Sequence, residues 1–98
     1  MRRRACVDEN QPEVIKALRA VGASVQPLHA VGQGVPDLLV GWNLRNYLVE
    51  VKDGTRPPSE RKLTLAQEKW HREWRGQVLV VKSLDEALAI VGLRVSER

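Results

Sequence analysis

The stretch Gly34-Val35-Pro36-Asp37-Leu38-Leu39-Val40-Gly41, followed after a short polar break by Tyr47-Leu48-Val49-Glu50-Val51-Lys52, limits what this chain can fold into. Both runs are too short for an ordinary helix and rich in Val and Leu, so each reads as a buried strand. The five residues between them, Trp42 to Asn46, suit the loop of an antiparallel hairpin. Side chains alternate faces along a strand, which puts Glu50 and Lys52 on one face and Val49 and Val51 on the other. Pairing the two strands brings Asp37 beside Glu50. Two carboxylates and a lysine then meet at one end of a mostly apolar sheet, where charges are costly unless something binds them. A divalent cation is the natural candidate, because paired carboxylates are hard oxygen ligands.

The flanking segments supply the other elements. Pro12 suits the first turn of a helix capped by Asn10 or Gln11, with Val14, Ile15, Leu18 and Val21 as its apolar stripe and Gly22 as its stop. Ala23 to Leu28 reads as a first strand, and the glycine loop His29 to Val35 delivers Pro36 and Asp37. After the hairpin, Asp53 to Lys62 is a loop carrying Arg56, Arg61 and Lys62. Thr64-Leu65-Ala66-Gln67 matches a capping box that opens a helix, with Leu63, Ala66, Trp70 and Trp74 as its apolar side and Gly76 as its end. Gln77 to Lys82 holds Val78, Leu79, Val80 and Val81, a continuous apolar run, hence a buried strand. Ser83-Leu84-Asp85-Glu86 is a second capping box, opening a helix to about Val91, and a tail follows from Leu93. The order is helix, three strands, helix, strand, helix: an α/β fold with a four-stranded mixed sheet flanked by helices. Its last strand follows a helical crossover and should run parallel to its neighbour.

At 98 residues the chain suits a single domain, with a core spanning about 10 to 92. The lone Cys6 excludes an intrachain disulfide and a Cys-rich zinc site. A net charge of +4 permits a polyanionic partner without requiring one. No apolar run approaches membrane-spanning length, and Arg2 to Arg4 are not followed by the apolar segment of a signal peptide. A cytoplasmic protein with no membrane association is expected.

Pro36-Asp37 followed by Glu50-Val51-Lys52 resembles the PD-(D/E)XK nuclease superfamily, whose restriction-endonuclease-like αβββαβ core has the same element order. Within it, the chain is most similar to stand-alone VRR-NUC domains of phage and bacterial type. The segments that carry this are residues 34–41, Glu50-Val51-Lys52, Leu63-Thr64-Leu65-Ala66-Gln67 and the closing run 80–88. The resemblance implies a metal-dependent endodeoxyribonuclease using Mg2+ or Mn2+. It implies Asp37, Glu50 and the Val51 carbonyl as metal ligands and Lys52 as a catalytic group. It also implies a glutamine, Gln67, at the edge of the site and an acidic residue from the first helix, Glu13 or, less securely helical, Glu9. Branched DNA such as Holliday junctions, a homodimer and a phage-encoded protein acting in host cytoplasm are further expectations of the same kind.

Competing readings exist for each residue. Glu50 and Lys52 can pair on a solvated edge, although their apolar neighbours argue against one. Glu13 suits a first helical turn for its dipole alone. Gln67 can be a cap, a site residue or both. Arg56, Arg61 and Lys62 can hold phosphates or form an ordinary solvated loop, and Arg2 to Arg4 can form a basic arm. His71, one turn beyond Gln67 on the same flank, can touch DNA but reads more simply as a surface residue, while His29 in the glycine loop can reach a substrate although no spacing demands it. Trp70 and Trp74 read as core or interface. Trp42 suits either a partner surface or packing under a loop. A non-catalytic DNA-binding or assembly module that keeps the fold is the functional alternative, and the intact Asp37, Glu50 and Lys52 speak against it.

Overall fold

A computed structural model describes residues 10–92. Glu9, Arg2 to Arg4 and the tail from Leu93 lie outside the described residues. Helix α1 (Gln11–Ala20) leads into strand β1 (Ser24–Pro27), then β2 (Leu38–Trp42) and β3 (Arg45–Val51). Helix α2 (Leu65–Glu73), strand β4 (Leu79–Val81) and helix α3 (Leu84–Ala89) complete the fold. The sheet order is β1-β2-β3-β4, with the first two pairings antiparallel and β3–β4 parallel. This is the α/β, four-stranded mixed architecture of the restriction-endonuclease-like core.

Alternation sorts the sheet residues. Leu38, Val40, Val49 and Val51 face α1 and α3 and join Val14, Leu18, Ala87 and Leu88 in one buried cluster. Glu50 stands on the opposite face and yet is almost completely buried.

Several local expectations need correction. The hairpin loop is a two-residue turn, Asn43-Leu44, and not a five-residue break: Trp42 pairs with Arg45 and Gly41 with Asn46. Both turn residues have positive φ (53° and 63°), as a turn matching the strand twist requires. Trp42 is therefore the last residue of β2, partly buried against the core, with its ring over Gly22.

The last strand is shorter than expected and lies at an edge, so Leu79 and Val80 remain exposed. Gln77, expected to begin it, contributes its side chain instead. Its amide accepts from the Leu48 N–H (2.9 Å) and donates to the Leu48 carbonyl (2.8 Å), prolonging the ladder of β3. Helix α2 buries none of its residues. Trp70 and Trp74 stack on each other (4.6 Å between ring centres) in place of entering the core, and Trp74 is 46% exposed.

The helix caps also differ. Asn10 occupies the cap position of α1, but its side chain makes no cap bond; its Nδ2 donates to the Lys52 carbonyl (3.1 Å). At α3, Ser83 Oγ accepts from the Glu86 N–H, whereas Glu86 Oε1 accepts from Lys82 N–H (2.7 Å), one residue earlier than a capping box needs. Helix α3 ends at Ala89, before Val91.

Candidate active site

The glycine loop places Asp37 immediately before β2, and its carbonyl accepts from Leu28 N–H (2.7 Å). Asp37 Oδ2 in turn accepts from Val51 N–H (2.7 Å), which locks the carboxylate across the end of β3. Glu50 is one residue away on the opposite face of that strand, with its carboxyl group in hydrogen-bonding reach of Asp37. Lys52 continues the parallel ladder beyond β3, its N–H donating to the Val81 carbonyl (2.8 Å). Asp37, Glu50 and Lys52 are all buried, at 8%, 1% and 8% exposure. A solvated edge pair is therefore not what the fold builds.

Gln67 joins the three. Its Nε2 donates to Glu50 Oε2 (2.8 Å), and its Oε1 accepts from Lys52 Nζ (3.0 Å) and from Thr64 N–H (2.9 Å). Thr64 Oγ1 accepts from Gln67 N–H (3.1 Å), so the capping box is complete as well. The two readings of Gln67 are compatible because one oxygen serves both donors. Lys52 Nζ lies 3.9 Å from Glu50 Oε2, close enough for Coulomb attraction and too far for a hydrogen bond.

A cleft of about 300 Å³ opens over Asp37 and Gln67, walled by His29, Gly32, Gln33 and Gly34. Gly34 (φ +83°) presses on the start of α2: a Cβ there would collide with the Ala66 carbonyl. His29 thus borders the cleft and contributes a favourable charge interaction to Asp37.

Sequence reasoning left out His71. Its Nε2 lies 3.9 Å from Glu50 Oε1, with the side chain 13% exposed. Burial first, and then the Lys52 charge, lower its pKa and favour the neutral ring. The available signal was the four-residue spacing from Gln67, which puts both on one helix face.

Other candidates stand apart. Glu13 is exposed in the first turn of α1, and no hydrogen bond or ion pair joins it to the cluster among the described residues. Asn10 makes the contact from that helix. On the loop after β3, Arg56 faces Asp53 (3.8 Å) and Glu60 (3.4 Å), and Arg61 Nε donates to the Arg56 carbonyl (2.9 Å). Lys62 is exposed.

A solved structure described as a VRR_NUC domain aligns with this chain at a TM-score of 0.60 and 28% identity, covering 83% of this chain and 88% of that one. The chain is similar to a VRR-NUC domain in fold and, at that level, in sequence. No family model and no curated protein matches it. Among the described residues, no helix is long and apolar enough to cross a membrane.

Burial pushes the Asp37 carboxyl above the usual range, against the Val51 N–H, the Glu50 contact and the Lys52 and His29 charges, which all pull it down. The paired carboxyls of Asp37 and Glu50 favour a shared proton, or a cation in its place. Among the described residues, no three His, Cys, Asp or Glu side chains converge as a metal cage. The Asp37–Glu50 pair would suit Mg2+, which is held by one or two carboxylates and completed by water and phosphate oxygens.

The raised Asp37 pKa has a stability consequence. The folded carboxyl binds its proton more tightly than the unfolded one, so stability is greatest below the unfolded value, 3.8, and falls as pH rises towards the folded value. Asp37→Asn keeps an oxygen for the Val51 N–H and removes the charge. In chelator-treated buffer at neutral pH, this variant should melt above wild type, with the gap closing near pH 3 to 4. An Asp37→Asn protein that melts lower at neutral pH would contradict the account.

Proposed function

We propose that this domain is a divalent-cation-dependent nuclease that hydrolyses DNA phosphodiester bonds at the cleft beside Asp37. The observation that carries the reading is the buried Asp37–Glu50 pair with Lys52 linked to it through Gln67. Such a cluster costs stability and is retained where charge must be met by charge.

Asp37 and Glu50 would hold Mg2+ or Mn2+, with the Val51 carbonyl as a further ligand. When bound, the cation makes a water acidic enough to attack and neutralises phosphate oxygens. Lys52 brings a positive charge to the developing negative charge on the phosphoryl group, at an angle fixed by Gln67. Gln67 restrains Glu50 and Lys52 at once, so the two keep their separation as substrate enters. The loop bearing Arg56, Arg61 and Lys62 leaves β3 just past Lys52 and would carry the DNA backbone, with Arg56 and Lys62 exposed. A domain of this size spans few phosphates, which favours a homodimer with two sites and a branched DNA such as a Holliday junction as substrate.

Incubation with branched, flapped and linear DNA, with and without Mg2+ or Mn2+, tests the reading. Cation-dependent cutting is expected. Binding of DNA with no cutting in either metal would mark a non-catalytic module. By calorimetry, Glu50→Gln should weaken Mg2+ binding at least about tenfold, the lower end of what loss of a partner outside the ligand shell costs. Unchanged affinity would remove Glu50 from the ligand set.

A further inference from the structure

Gln67 and His71 stand one turn apart on the face of α2 that meets Glu50. Gln67 Nε2 donates to one carboxylate oxygen, Oε2 (2.8 Å). His71 Nε2 faces the other, Oε1, from 3.9 Å. The nitrogen is buried and makes no hydrogen bond of its own. At 3.9 Å the contact is not yet a hydrogen bond, and contacts of this kind tighten when a site is loaded. The ring of Trp70 meets the imidazole edge-on (6.0 Å between centres) and limits how far it can turn away. Because α2 buries no residue, its side chains can move by the missing ångström without repacking a core.

The chemistry of the pair sets which nitrogen carries the proton. A lone pair aimed at a carboxylate oxygen is repelled, whereas an N–H is attracted. We propose that His71 is a positioning residue whose Nε2–H donates to Glu50 Oε1, so that Gln67 and His71 hold both oxygens of one carboxylate. The grip fixes the plane in which Glu50 faces Asp37. Its effect on cleavage rests on the nuclease reading; the grip itself is a property of the fold.

Two measurements separate these levels. In the metal-free protein, long-range ¹H–¹⁵N spectra of the imidazole should show His71 protonated on Nε2; a ring protonated only on Nδ1 overturns the proposal. Among variants, His71→Ala should lower Mg2+ affinity by calorimetry and cleavage turnover each about 10–100-fold, with little change in KM for DNA. His71→Gln places an amide N–H at similar reach and should recover most of both. A folded His71→Ala protein with wild-type affinity and turnover, or His71→Gln no better than His71→Ala, overturns the proposal. If wild type cuts no DNA in any metal, the nuclease reading fails and the tautomer still decides the role of His71.

Discussion

Lys52→Ala is expected to lower single-turnover cleavage of branched DNA at saturating Mg2+ by about 10²–10³, the loss typical of removing one group that meets transition-state charge. Lys52 is 8% exposed and its ammonium is tied to Gln67, so bulk solvent is poorly placed to replace it. The fold should survive, because the backbone of Lys52 carries the ladder bond to Val81 and the bond from Asn10 independently of the side chain. Lys52 also draws the Asp37 pKa down, so its loss should strengthen proton retention there and lower the melting temperature more at neutral than at acid pH. Lys52→Met, which keeps most of the aliphatic stem, should cleave as poorly as Lys52→Ala while melting closer to wild type. Wild-type cleavage by either variant would remove the lysine from the reaction.

Gly34→Ala should be the most damaging exchange in the glycine loop. Two costs combine: a side chain at φ +83°, and a Cβ driven into the backbone carbonyl of Ala66, which cannot swing aside as a side chain would. Gly32 has a similar φ (+74°) and open space around it, so Gly32→Ala carries the first cost alone. The expected destabilisation is about 1 kcal/mol for Gly32→Ala and about 3 kcal/mol or more for Gly34→Ala, read by urea denaturation. Cleavage should fall only in Gly34→Ala, because relief of the clash moves the start of α2 and with it Gln67. Equal losses in the two variants would show that the close approach is unimportant.

Much of this was legible in the chain. Alternation in Leu38 to Val40 and Val49 to Lys52 carries the central strand pair and the sorting of Glu50 from Val49 and Val51, because only one face of those strands meets the core helices. Thr64 with Gln67 announced the start of α2. The misreadings have physical causes. Trp42 and Arg45 do not alternate recognisably, so the hairpin turn looked longer than Asn43-Leu44. The run Val78 to Val81 is as apolar as an interior strand, and a single sequence does not say that β4 has no neighbour on one side. Trp70 and Trp74 have core spacing but pair with each other. Helical phase puts His71 with Gln67 and is silent on what that face touches. At the helix entry, the Asn10 side chain bonds to the end of β3, a contact that its residue type alone does not announce.

Helix α2 has no apolar anchor, and what fastens it is largely polar: Gln67 to Glu50 and Lys52, His71 beside Glu50, and Ala66 against Gly34. Segments with few buried contacts open separately from the rest of a protein. Release of α2 would withdraw Gln67 and His71 from Glu50 in a single event, while the valine sheet behind them stayed closed. In amide exchange this helix would form its own unit, opening ahead of the sheet behind it.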